Sequence, residues 1–184
     1  MREKYNLKQL ETWCNLKCGD IIFDSNKHGW SWRNNEFRKN IFNKSKVCIV
    51  IENEDGEIFG CYINSKIDEV SEWIDEKIKD ENAFVFNLES NGRHEGPMKF
   101  DIKKEKSKHT FFLFPDYYDC LFQCGNCNIL IKKENKKSES RCEQDNFSYF
   151  DYRGVEKALV QNPNEDAYDE KYFTLKRFIV IQMI

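Results

Sequence analysis

The residues of this chain that could do chemistry fall into four groups, and the thiols come first. Eight cysteines stand at positions 14, 18, 48, 61, 120, 124, 127 and 142. A structural zinc needs thiolates from two rigid knuckles brought together in space. Cys124-Gly125-Asn126-Cys127 has the spacing of one knuckle, but Cys14-x3-Cys18 lies on or beside a predicted helix and makes a poor second. The spread suits core filling better than a metal site or a disulfide framework. A redox role is the remaining reading, because a thiol near cations has more thiolate character and oxidises faster. Cys142, beside Arg141 in a charged stretch, fits that role best, with Cys124 and Cys127 as further candidates.

Histidines and carboxylates carry less. A catalytic nucleophile needs a base within hydrogen-bond reach. His28, His94 and His109 all sit in predicted loops beside Gly or Lys, where solvated loop histidines are the plain reading. Acids are spread throughout, and Glu54-Asp55, Asp68-Glu69 and Glu165-Asp166 read as turn or helix-face residues. No glycosidase-type pair stands out. Glycine-rich phosphate loops, a dinucleotide fingerprint and a nucleophile elbow are all missing from the sequence. The expectation is a protein that is not an enzyme and uses no cofactor and no metal.

Lysines form the last group. Lys103, Lys104, Lys106 and Lys108 cluster, and Lys132, Lys133, Lys136 and Lys137 form a second cluster. With Phe111, Phe112, Tyr117 and Tyr118 nearby they are candidate nucleic-acid contacts, since cations neutralise phosphates and rings stack on bases. Acids interrupt both clusters, so solvated loops are the competing reading.

The elements that must position these residues are short. Leu7, Leu10, Trp13 and Cys14 recur at helical spacing, predicting an N-terminal helix over about 5–18. A strand follows at 20–24, then a turn at 25–29 with Gly29 expected at positive φ. A second short helix covers 34–41. Val47-Cys48-Ile49-Val50-Ile51, the turn Glu54-Asp55-Gly56-Glu57 and the return strand 58–63 make the clearest hairpin. Ile67, Val70, Trp73, Ile74 and Ile78 share one face of a predicted charged helix over 65–80. Strands are expected at 83–88, 98–102, 110–114, 128–131 and 178–183, with loops at 103–109, 134–143 and 161–170. Short strands, hairpin signals and few helices argue an α+β fold, built on a two-sheet antiparallel β-sandwich flanked by helices.

Composition bounds the rest. At 184 residues the chain is expected to form a single domain over 1–184 that buries roughly 70% of its unfolded surface. Hydrophobic residues make up 40% and charged residues 33%, which places it among globular chains. With Phe 15, Tyr 8 and Trp 4, much of the core must be ring-packed. A net charge of -3 gives no overall pull toward DNA or membrane. The first residues are too polar for a signal peptide. No apolar run approaches the ~18 residues of a spanning helix. A cytoplasmic location is expected, with the nucleus as a second compartment, no membrane insertion, and reduced thiols.

The order of segments resembles the TLDc domain of the oxidation-resistance proteins. Ile21 to Trp30 resembles the family's strand and Ser-x-x-x-Gly-aromatic turn, and Phe37 its helix phenylalanine. Val47 to Ile51 with Gly56 and Phe59-Gly60-Cys61-Tyr62 resembles the family hairpin, which usually ends Phe-Gly-Gly-Tyr. Asp80-Glu81-Asn82-Ala83-Phe84-Val85-Phe86-Asn87-Leu88 is the most specific block, close to the family's Asp-x-Asn-Ala-Phe-Leu-Phe-x-Leu. Lys99-Phe100, Ser148-Tyr149 and the strand from Phe178 follow in family order. Departures mark a divergent member. The glycine-rich Phe-Gly-Gly-Gly-x-Asp-Leu stretch appears only as Phe122 to Leu130, and Cys61 replaces the hairpin's second glycine.

The resemblance implies the sandwich described above, with no known cofactor or catalytic residue. It further implies a non-enzymatic interaction domain in the oxidative-stress response, binding and regulating the vacuolar proton pump. Two other classes stay open: a DNA-binding regulator of oxidative-stress genes, motivated by the lysine clusters, and a cysteine-based redox protein.

Overall fold

Val47 to Asn53 form β2, and all seven residues are buried. Only a strand covered on both faces permits this, and the alternation along β2 shows the two covers. Val47, Ile49 and Ile51 face one hydrophobic cluster, while Cys48 and Val50 face another. The computed structural model describes residues 5–68, 78–144, 148–161 and 171–184.

Around β2 the first sheet is antiparallel, with β1 (Cys18–Asp24), β3 (Ile58–Ile63), β4 (Phe84–Glu89), β5 (Met98–Asp101) and β11 (Leu175–Met183). Its strand order is β1-β11-β2-β3-β4-β5. Ile49 lies opposite Cys61 and Val180, so the central three strands share one register. The β2–β3 turn relies on Gly56 at φ +89°, with Gly56 N–H donating to Asn53 O at 3.1 Å.

The second sheet has the order β10-β9-β8-β7-β6. It comprises β6 (Phe111–Leu113), β7 (Cys120–Cys124), β8 (Ile129–Lys132), β9 (Ser140–Cys142) and β10 (Lys171–Phe173). Both sheets are antiparallel throughout the described residues. The expected α+β two-sheet sandwich with flanking helices is therefore the observed architecture.

Rings fill the space between the sheets. Phe37 of helix α2 (Glu36–Ile41) stacks on Phe122 at 5.3 Å and meets Phe23 edge-on at 5.2 Å. Phe178 joins Phe23 at 4.9 Å and Trp30 at 5.4 Å. Helix α1 (Leu7–Cys14) covers the other face of the first sheet. Leu7 and Leu10 are buried there, and Trp13 meets Phe84 edge-on at 6.3 Å.

The family-like block explains itself as architecture. The Asp80 carboxylate accepts backbone N–H bonds from Asn64 at 2.6 Å, Ser65 at 2.9 Å and Asn82 at 2.9 Å. It ties the exit of β3 to the entry of β4. Gly125, at φ +65°, has no room for a side chain, because a Cβ would stand 3.0 Å from Phe150 and run into Asn128. Two positions on, Cys127 holds φ +58° without being glycine.

Several local expectations change. The N-terminal helix is shorter than 5–18, ending at Cys14, where Asn15 turns to φ +53°. Gly29 does not adopt positive φ; it is small because a Cβ would run into the Asn34 side chain. Much of the helix expected over 65–80 lies outside the described residues. Ser65 to Asp68 and Ile78 to Asp80 are not helical, and Ile78 instead bridges Phe111. The loop expected over 134–143 contains a 3-10 segment, Glu134–Glu139, and then β9. Lys104–His109 is likewise a 3-10 segment. Among the described residues no helix is long and apolar enough to cross a membrane.

Candidate interaction surface

One corner of the sandwich gathers exposed aromatics on a clamped frame. Its first part is the loop between β1 and α2. Asp24 O accepts the N–H groups of Lys27 and His28, both at 2.9 Å, which closes the turn. Trp30 and Asn35 then bridge each other across a small loop. Trp30 points into the core, and Trp32, two residues later, stands 48% exposed. Asn35 caps α2 by accepting from Arg38 N–H at 3.3 Å.

Asp116 is the clamp. Its carboxylate accepts from Asn35 Nδ2 at 2.8 Å and pairs with Arg38 Nη1 at 2.9 Å. Its carbonyl accepts from Lys133 Nζ at 2.5 Å. One residue thus joins the 114–119 loop to the 29–35 loop, to α2 and to the end of β8. Beside it, Tyr117 is 59% exposed. Tyr117 packs on Tyr118 at 4.9 Å, Tyr118 on Phe114 at 5.5 Å, and Phe114 on Phe112 at 4.5 Å. This ladder runs from β6 out to the corner.

Lys133 underlies the corner and is wholly buried. Its ammonium sits 4.1 Å from the Trp32 ring centroid, a cation–π contact that holds the ring in place. Burial pushes the Lys133 pKa below the usual lysine value, against the opposing pull of Asp116 and Asp119. In the sequence this residue is one of a basic run; in the fold it is a strut. Lys133→Ala is expected to cost about 2 kcal/mol through lost packing of its stem and an orphaned carbonyl. A depressed lysine pKa means the native state sheds its proton first as pH rises. Wild type then gains stability between its folded pKa and the unfolded value near 10.4. The gap to Lys133→Ala therefore widens from pH 7 to pH 10, measured by denaturant unfolding.

The other lysines are mostly engaged. Lys132 lies 3.7 Å from Asp119, and Lys136 contacts Asp119 at 3.1 Å and Glu139 at 3.6 Å. Lys137 meets Glu54 at 3.5 Å. In the first cluster Lys103 donates to Ser148 O at 2.8 Å, and Lys106 lies over the Tyr149 ring at 5.1 Å. Lys104 and Lys108 are exposed on the 3-10 segment. The two clusters do not form one free cationic stripe.

The thiols separate by burial. Cys124 is fully enclosed between the sheets, and burial, reinforced by Cys61, pushes its pKa well up. Cys142 stands in β9, not in a loop, and is buried. Cys127 is half-buried, accepting from Arg141 Nη2 at 3.4 Å and donating to Gln123 Oε1 at 3.5 Å. Among the described residues no group of three or more Cys, His, Asp or Glu is placed to hold a metal ion. The histidines serve loops: Asp24 N–H donates to His28 Nδ1 at 2.9 Å, and His94 Nε2 meets Lys157 O at 3.1 Å.

Trp32 and Asp116 carry the corner but do not stand out in the sequence. The signal available in the sequence is a tryptophan, Trp32, followed by the polar run Arg33-Asn34-Asn35. Clamped Trp, Tyr and Arg side chains are the residue types that anchor protein interfaces. A search of curated proteins returns no match. A family model for the TLDc domain matches residues 4–165 of the chain. That span covers both helices and nine of the strands, from β1 to β9, and on this ground the chain belongs to the TLDc domain family.

Proposed function

We propose that this protein is a non-enzymatic TLDc interaction domain in the oxidative-stress response, with the peripheral part of the vacuolar proton pump as its partner. The observation that carries the interaction reading is the Trp32–Tyr117 corner. Large rings exposed on a frame fixed by Asp116 and Lys133 lose little conformational freedom on binding. The choice of partner rests on family membership. Burial of the β7 and β9 thiols and the ion pairs of the lysines favour this reading over redox chemistry at Cys124 and Cys142 or DNA binding.

The test is a pull-down from native lysate with the full chain as bait, at low and high salt, with and without nuclease. Peripheral pump subunits should be captured after nuclease treatment. Trp32→Ala with Tyr117→Ala should weaken that capture at least about tenfold, since both removed rings are anchors. Because Trp32 also covers Lys133, the double variant is expected to lose about 1–2 kcal/mol of unfolding free energy and to remain folded. Capture that is lost with nuclease and at high salt would transfer the reading to DNA, with Lys104 and Lys108 as the first contacts to change. Unaltered capture by the double variant would remove the corner from the interface.

A further inference from the structure

Between α1 and the first sheet lies a layer of sulfur. Cys14 is the last residue of α1 and is half-buried. Cys48, the second residue of β2, is fully buried beneath it. Their Sγ atoms are 3.8 Å apart. Cys18 shares the layer, with its Sγ 3.7 Å from Leu7 O and 4.0 Å from Met183 Sδ. We propose that Cys14 and Cys48 are an oxidisable pair, which a hydroperoxide converts into a disulfide that staples α1 to the sheet.

The two thiols are already in van der Waals contact, and a disulfide requires about 2.05 Å. The remaining approach is under two ångströms, within what rotation of Cys14 about χ1 and a small shift of α1 supply. That shift is available because α1 has only eight residues. A helix of that length is not stable alone and keeps its shape through packing. The same docking makes α1 a unit that can open without the sheet.

The roles of the two sulfurs follow from access. Cys14 is the one that a small peroxide reaches. Burial pushes the Cys48 thiol well up, so it stays protonated until its partner is activated. In the first step Cys14 Sγ attacks a peroxide oxygen: the S–O bond forms, the O–O bond breaks, and the thiol proton leaves with the departing oxygen as water or alcohol. In the second, Cys48 Sγ displaces the hydroxyl from Cys14. The S–S bond forms, the S–O bond breaks, and the Cys48 proton leaves with that hydroxyl as water. Two thiols lose two electrons, and one peroxide is reduced.

This pair differs in kind from Cys127. There the neighbour is a guanidinium, which can stabilise a thiolate but cannot resolve a sulfenic acid. It also stands apart from the partner proposed above, because α1 lies on the opposite face of the first sheet from the core that supports the Trp32 corner.

The experiment treats the full chain with hydrogen peroxide, alkylates remaining thiols after denaturation, and maps unreduced peptides by mass spectrometry. A Cys14–Cys48 linked peptide is expected as the main product, reversed by reductant and missing from Cys14→Ser, whose half-buried site tolerates the change. Hydrogen exchange of the α1 amides should slow at least about tenfold on oxidation, because opening now requires the sheet to move. Recovery of Cys14 as sulfinic acid with Cys48 still a thiol would overturn the proposal. So would a main linkage from Cys14 to Cys18 or to a second chain, or α1 exchange unchanged by oxidation.

Discussion

Gly60→Ala should destabilise the fold by about 3 kcal/mol, at the upper end of what overpacking costs. Gly60 lies in the middle of β3, between Val50 of β2 and Phe86 of β4. An added Cβ would run into the Ile49 carbonyl oxygen and stand 2.8 Å from Phe86 Cζ. A flexible side chain can give way, but the Ile49 carbonyl belongs to the strand ladder and cannot. Relief would have to come from parting β2 and β3, the pair at the centre of the first sheet. Alanine's smaller unfolded-state entropy returns less than about 1 kcal/mol. Thermal unfolding should therefore fall by roughly 6–12 °C, given 2–4 °C per kcal/mol for a chain of this size. Phe86 also supports Trp13 of α1, at 6.1 Å between centroids, so α1 amides should lose exchange protection beyond the global loss. A variant within 1 kcal/mol of wild type would show that the strands absorb the methyl and that glycine is not required there.

Gly60 also shows what is legible in this sequence. It sits in the Phe59-Gly60-Cys61-Tyr62 stretch, which resembles the family hairpin, and that hairpin is where the sequence is clearest. Alternating and continuous apolar runs, with a glycine turn between them, specify β2 and β3 through local signals alone. The Asp80 to Leu88 block is legible for the same reason, although the work of Asp80 is a three-way backbone clamp that spacing does not reveal. β9 was hidden because three residues, Ser140 to Cys142, carry no periodicity, and charged neighbours make them read as loop. Long-range charge pairing was hidden as well. Glu57 reads as a turn acid, yet it is buried against Arg93, 36 residues away, and accepts from Asn53 Nδ2 at 2.7 Å and Gln161 N–H at 3.1 Å. The corner was half legible. Tyr117 and Tyr118 stand near the lysines in the sequence, but Lys133 reads there as one of a run of surface cations. Its burial depends on Trp32, about a hundred residues earlier in the chain, folding over it.

Asp24→Asn should cost about 3 kcal/mol at neutral pH, because it leaves a partly buried guanidinium without its counter-charge. Wild-type Asp24 is 1% exposed. It receives Arg177 Nε at 3.0 Å, Arg177 Nη2 at 2.7 Å and Asn26 N–H at 3.1 Å. This two-pronged geometry is the strongest form of such a pair. Burial pushes the Asp24 carboxyl up, but the Arg177 guanidinium and the Asn26 N–H outweigh it, so its pKa lies below the ordinary value. The sign of the pH dependence follows. A depressed carboxyl stabilises the fold fully above its unfolded pKa, near 3.9, and loses that contribution as pH falls through the lower folded value. The deficit of Asp24→Asn should hold steady from pH 8 to about 5 and shrink below about pH 4. Urea unfolding of both proteins at several pH values reads this directly, and a deficit that does not shrink would mean that Asp24 acts through shape alone. A double-mutant cycle with Arg177→Met should give a coupling of at least about 1.5 kcal/mol. The pair also bears on the proposed interface. Asp24 ends β1, Arg177 lies in β11, and the turn that Asp24 closes launches the loop carrying Trp30 and Trp32. Asp24→Asn should thus weaken partner capture without removing any side chain from the exposed corner, and the two losses should follow the same pH curve.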